Sequence, residues 1–286
     1  MLKVIIFNVE RGFCSFVRSP NNYALLIDCG SSANFSPIKY ILDNEIPYVT
    51  EIEGYKLAHF VCSHPHDDHI SDIERLKKEL EPKTITGWRF TWDEVKDPDE
   101  KDENAYLNLD SYGKLRDSYT ATSTPTDWGM TFETLGLSVS DAKKINPDRQ
   151  RFANNSSIAV MLQYMRWKFF FSGDLMEDGW EELLKRDSFQ NALKGTDFFI
   201  TPHHGHKSGY NSKIYEVMGK PEINIVSEKS GEEVYTAYSD SEHAIGIKIN
   251  EQTRRALTTR KDGSIVVKIS DEGNASITLR NLKDNV

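Results

Sequence analysis

Short apolar runs punctuated by turn residues dominate both ends of the chain. Residues 2–9 (LKVIIFNV), 14–17 (CSFV) and 23–30 (YALLIDCG) are separated by Gly12 and by Ser19-Pro20-Asn21-Asn22, which predicts three strands joined by tight turns. Residues 36–45 predict a helix, with Pro37 in the first turn, where its missing N–H costs nothing. Residues 57–62 predict a buried strand, and apolar positions at Ile70, Ile73, Leu76 and Leu80 a helix after it. At the other end, SIVVKIS and NASITLR flank Asp271-Glu272-Gly273 and predict a closing hairpin.

The middle of the chain reads differently. Residues 88–150 are rich in charge, Ser and Thr, with few periodic apolar positions, and DEVKDPDEKDEN reads as a solvated loop or a lid over a substrate. Alternation of Trp88, Phe90 and Trp92 predicts a packed strand. MTFETLGLS is strand-like, and residues 156–174 predict a hairpin turning near Tyr164 to Trp167. Beyond it come a helix over 177–186, strands over 197–201 and 222–227, and a short helix over 242–250. Strands in both halves with helices between them predict one domain, 1–286, of two mixed sheets packed face to face with helices outside, carrying a polar insertion or lid-like segment around 90–130.

No apolar run approaches the ~20 residues of a membrane span, and no signal-peptide pattern opens the chain. Three cysteines (Cys14, Cys29, Cys62) in apolar surroundings lack metal-ligand spacing and read as reduced thiols. The expectation is a cytoplasmic protein that does not insert into membranes. A formal net charge of −9 weighs against a surface generally adapted to polyanions, yet divalent cations can reverse the field inside a cleft.

The candidate chemistry sits in His64-Pro65-His66-Asp67-Asp68-His69, directly after the predicted strand 57–62. Three imidazoles and two carboxylates in six residues suit two neighbouring divalent cations, zinc or manganese: His64 and His66 for one, Asp68 and His69 for the other. Three more of the eight histidines stand in Pro202-His203-His204-Gly205-His206. His203, nearest the strand end, is the choice for the last ligand. His204 and His206 are left to meet substrate or act as general acid, and Lys207 to contact an anionic group.

The series Leu26-Ile27-Asp28-Cys29-Gly30, HPHDDH, Phe171-Ser172-Gly173-Asp174 and PHHG resembles the metallo-β-lactamase superfamily. Within it, the chain is similar to the soluble hydrolase domain of ComEC-type competence proteins. The resemblance runs from Phe7 to about His243 and implies an αββα sandwich with a dinuclear metal site along its edge. It implies that Asp28 supports the ligand histidines without being a ligand, that Asp174 bridges the two cations, and that His243 lies near the site. One departure stands out: where most of the superfamily supplies another His to the first metal, this chain has Phe152-Ala153-Asn154-Asn155-Ser156-Ser157. An Asn oxygen is a harder, weaker ligand, tilting preference from zinc toward manganese or magnesium. Asn154 and Asn155 read equally as turn residues. Asn155 is a candidate for substrate contact, as are Arg149 and Arg151, whose guanidiniums suit phosphate oxygens.

The function expected is therefore a metal-dependent hydrolase, foremost a phosphodiesterase or nuclease acting on a phosphodiester, DNA or RNA included. Two metals would generate hydroxide from water, Asp68 and Asp174 would orient it, and His204, His206 or His243 would protonate the leaving oxygen. The same site suits acyl substrates (lactone, thioester, β-lactam), and a partner-gated, non-catalytic effector is the reading from a different class.

Overall fold

The computed structural model describes residues 1–95, 103–119, 127–228, 231 and 233–282. Its first sheet has seven strands in the order β15-β14-β1-β2-β3-β4-β5: β1 Leu2–Ile6, β2 Ser15–Arg18, β3 Ala24–Ile27, β4 Leu57–Val61, β5 Pro82–Thr86, β14 Ser264–Ile269 and β15 Ala275–Arg280. The second has six, in the order β13-β10-β9-β8-β7-β6: β6 Thr131–Leu135, β7 Ala159–Tyr164, β8 Trp167–Phe171, β9 Phe198–Ile200, β10 Ile223–Val226 and β13 Ala256–Thr258. A small ribbon pairs β11 (Ile247–Ile249) with β12 (Gln252–Arg254).

Strand alternation explains the layers. In β1, Leu2, Val4 and Ile6 face the second sheet and join Val160, Phe169, Phe171, Phe198 and Ile225 in one apolar cluster. Ile5 belongs to the other cluster, under the helices. Both faces of the central strands are thus buried, which is why those strands read as nearly continuous apolar runs. Helices α1 (Pro37–Asn44) and α3 (Ile73–Glu79) lie outside the first sheet; α8 (Glu177–Leu183), α9 (Asp187–Leu193) and α10 (Lys213–Met218) lie outside the second, where Trp180 and Phe189 pack on Phe170. This is an αββα sandwich, the metallo-β-lactamase fold.

Local chemistry sets the predicted boundaries. Ser36 caps α1 by accepting the Lys39 N–H, with Pro37 behind it. The β7–β8 hairpin turns between Tyr164 and Trp167, where Met165 takes a left-handed backbone.

Three expectations fail. Residues 87–91 are not a strand: Trp92 opens a short helix, α4 (Trp92–Val95), and the Trp88 indole instead donates to the Ser156 carbonyl. Residues 242–250 form no helix, because turns at 241–243 and Gly246, with φ +96°, lead into β11. The polar middle contains α5 (Glu103–Asp117), whose buried Ala105, Leu109 and Tyr112 follow helical spacing. The rest of the predicted acidic loop and lid, 96–102 and 120–126, lies outside the described residues.

Candidate metal centre

The donors gather where strand ends of both sheets meet. After β4 the chain enters the histidine loop and the single turn α2 (Asp67–Ile70); after β8 it reaches Asp174; after β9, the histidine turn 203–205. Asp28, Glu10, His203 and His204 all adopt left-handed backbone, at φ 55°, 62°, 48° and 53°. Such strain in non-glycine residues collects where side chains are held for a task.

Two groups of donor atoms lie within 4.8 Å of one another: His64, His69 and Asp174, and Asp68, His69 and His204. Asp174 sits between them, Oδ2 3.8 Å from His64 Nε2 and 3.5 Å from His204 Nε2, Oδ1 3.4 Å from His69 Nε2. Asp68 Oδ2 is 3.4 Å from His204 Nε2. Ligands at ~2.1 Å around a tetrahedral cation stand about 3.4 Å apart, so these separations are the edges of a coordination shell. The nitrogens His66 Nε2, His69 Nε2 and His204 Nε2, with Asn154 Oδ1, are buried and have no hydrogen-bond partner. Buried polar atoms left unsatisfied are costly, and a divalent cation satisfies this set. The residues fit a metal.

Protonation agrees. Burial, with the charges of His69 and His66, holds His64 neutral well below the ordinary histidine range, and burial pushes His66 down to about 4. Burial works to raise the Asp174 pKa, but His204, His69 and His64 outweigh it and keep the group a carboxylate. Burial likewise opposes charge on His69, yet Asp174 and Asp28 prevail and raise it; a cation can take that proton's place.

A layer of supporting groups fixes the donors. Asp28, fully buried, accepts from the Ser63 backbone N–H and hydroxyl, each at 2.6 Å, and from His69 Nδ1 at 2.7 Å. The Ser157 hydroxyl accepts the Asp174 N–H at 2.9 Å and stands 3.4 Å from His64 Nδ1. His204 Nδ1 donates to the Ser227 carbonyl at 3.1 Å, and the Ser227 hydroxyl donates to the Gly12 carbonyl at 2.8 Å. Sequence reading missed Ser63, Ser157 and Ser227, since a lone serine carries no signal; Gly12 registered only as a turn.

The predicted site residues sort clearly. His64, Asp68, His69 and Asp174 converge, His66 Nδ1 lies 3.0 Å from His64 Nε2, and Asp28 stands behind His69. His204 takes the place expected of His203, because the left-handed turn aims it inward; His203 lines the cavity with Nδ1 against the Ser208 hydroxyl. His206 is exposed and accepts the Ser208 N–H, and His243 is engaged by the Ala237 carbonyl and Tyr210 hydroxyl, so neither is among the cavity-lining residues. Asn154 lines the cavity, whereas Asn155 is structural, donating to Asp178 and accepting the Met176 N–H. Arg151 pairs with Asp178, Arg149 is exposed, and Lys207 lies over the Tyr235 ring; none of the three lines the cavity.

The cavity before these donors measures about 790 Å³. One wall is apolar, built by Trp92 and Val95 of α4 and Ala105 and Leu109 of α5.

The model of the Metallo-beta-lactamase superfamily matches residues 8–127, which include Asp28 and the histidine loop. Among solved structures, the chain is similar to the metallo-beta-lactamase fold protein YhfI from Bacillus subtilis, at 17% identity and TM-score 0.45, covering 82% of this chain and 89% of that one. It is also similar to a candidate metal-dependent hydrolase from Parabacteroides distasonis (13%, TM-score 0.41, 87% and 93% covered) and to Zn(2+)-bound PqqB from Methylobacterium extorquens (10%, TM-score 0.34, 69% and 69%). These likenesses concern the fold alone. No curated protein compared with the chain matches it. The matched segment carries part of the donor set, and members of the matched superfamily are typically metal-dependent hydrolases.

Proposed function

We propose that the chain is a metal-dependent phosphodiester hydrolase holding two divalent cations, zinc or manganese. The observation that carries this reading is Asp174, whose carboxylate lies between His64 on one side and His69 and His204 on the other, in front of an open cavity. His64, His66 and Asn154 would hold one cation, Asp68, His69 and His204 the other, with Asp174 shared. When bound, such a pair supplies Lewis acidity and lowers the pKa of water.

The protein's own groups do the rest. Asp28 fixes the His69 tautomer, Ser157 fixes Asp174, and Ser227 fixes His204. His203, anchored to Ser208, is the cavity group placed to hand a proton to a leaving oxygen. The ComEC-like motif series supports a nuclease within that class. Free, buried Cys14, Cys29 and Cys62 support a reducing, cytoplasmic setting. Among the described residues no helix is long and apolar enough to cross a membrane.

The apolar wall of Trp92, Val95, Ala105 and Leu109 favours a second reading, hydrolysis of an acyl substrate. Manganese- and zinc-loaded protein should be assayed in parallel on single-stranded DNA, RNA, small phosphodiesters, lactones and thioesters, beside Asp174→Ala. Phosphodiester cleavage lost in the variant supports the proposal; turnover of acyl substrates alone replaces it. A protein that retains no metal would instead favour the reading as an effector module gated by a protein partner.

A further inference from the structure

Gly12 and Gly30 bring two loops onto the main chain of Asp68. A Cβ on Gly12, at φ +114°, would stand 1.8 Å from the Asp68 carbonyl oxygen, and one on Gly30 2.2 Å from the same atom. That carbonyl accepts the Phe13 N–H at 3.0 Å, and the Gly30 N–H donates to the Phe13 carbonyl at 2.8 Å. Only glycine permits this approach. Its result is that Arg11 and the Ser31-Ser32 turn stand on the cavity wall next to a metal-ligand candidate.

Their chemistry is that of an anion receptor. Among the described residues lining the cavity, Arg11 is the one guanidinium or ammonium group. The Ser32 N–H is used by the Phe35 carbonyl, but its hydroxyl oxygen is buried without a hydrogen-bond partner. Ser31 is held by Ser71, through its N–H at 2.8 Å and its hydroxyl at 3.2 Å. Glu10 and Asp67 also line the cavity, so its wall carries negative charge as well, and Asn108 engages Asp67. A guanidinium on such a wall, next to a buried hydroxyl without a partner, selects an acceptor-rich group that binds by directed hydrogen bonds.

We propose that Arg11 and Ser32 form a subsite for a second, non-reacting anionic group of the substrate, a phosphate or a carboxylate, while the scissile bond lies before Asp174. The inference rests on the hydrolase reading and narrows it to substrates with two anionic positions. Arg149, Arg151 and Lys207 have no part in it.

The test uses metal-loaded protein and matched pairs. Thymidine 5′-(p-nitrophenyl phosphate) with and without a 3′-phosphate probes the phosphate source; p-nitrophenyl butyrate against mono-p-nitrophenyl glutarate probes the carboxylate source. Wild type should show a KM about tenfold or more lower for the member with the extra anion. Arg11→Gln should collapse that preference, Arg11→Lys should restore part of it, and Ser32→Ala should weaken it. Thermal shifts with thymidine 3′,5′-bisphosphate against thymidine 5′-monophosphate read the same preference without turnover. If wild type hydrolyses nothing yet shows a bisphosphate preference that Arg11→Gln removes, the hydrolase reading fails and the subsite stands. An absent preference in wild type, or one that persists in Arg11→Gln, overturns the subsite.

Discussion

Asp28 Oδ2 accepts the Nδ1–H of His69 at 2.7 Å, and both side chains are buried to within 1%. The bond leaves His69 Nε2 facing Asp174, so a residue that touches no cation sets which nitrogen can. Asp28→Asn replaces a carboxylate acceptor with an amide and should lower metal affinity about 10- to 100-fold. Competition with a coloured chelator measures this; an unchanged affinity would show that His69 needs no such support.

His204 and His203 are neighbours with different fates. His204→Ala should remove about one equivalent of metal, because its Nε2 completes the group with Asp68 and His69. His203→Ala should retain metal and lower turnover, as expected of a cavity group. Elemental analysis after dialysis separates the two, and the opposite pattern would restore His203 as the ligand.

Asn154 presents a buried, unpartnered oxygen where a stronger donor is expected. Asn154→His should raise zinc occupancy, and Asn154→Ala should lower it, since imidazole binds zinc better than an amide oxygen. Equal metal content in all three proteins would show that Asn154 is not a ligand.

Between the sheets, His59 sits with Nδ1 at 2.5 Å from the Thr84 hydroxyl and Nε2 at 3.0 Å from that of Thr86, and burial pushes its pKa down to about 4. An unfolded chain binds this proton below about 6.5, the folded one only near 4. Stability is therefore fully present above pH ~6.5 and falls as pH drops through that window, by about 3 kcal/mol for this group. His59→Gln should flatten that part of the stability–pH curve in urea denaturation. A slope identical to wild type would assign the acid sensitivity elsewhere.

The approach of Gly12 to the Asp68 carbonyl leaves no room for a side chain. Gly12→Ala should destabilise by more than about 2 kcal/mol through the forced shift and the left-handed backbone. Denaturation midpoints and metal content should fall together.

The sandwich and most of the side chains that converge at the candidate centre were legible because their signals are local. Strand runs in β1 to β4 carry both buried faces in their own composition, and the histidine loop compresses four donors into six residues. What stayed hidden depends on direction or on long-range pairing. His203 and His204 differ only in which way a left-handed turn points them, and Asn154 differs from Asn155 only in its face of α7 (Arg149–Asn155). Arg151 looked suited to phosphate because Asp178, which pairs with it, is 27 residues away. α5 was obscured by polar residues between its buried positions, and the helix expected over 242–250 gives way at Gly246, whose φ is +96°.

The donors divide between the two sheets: His64, His66, Asp68 and His69 follow β4 of one, while Asp174 and His204 follow β8 and β9 of the other. Neither half of the chain owns a complete centre. A cation held there would therefore mark correct assembly, since a chain whose sheets have not closed on one another offers it only fragments of a coordination shell.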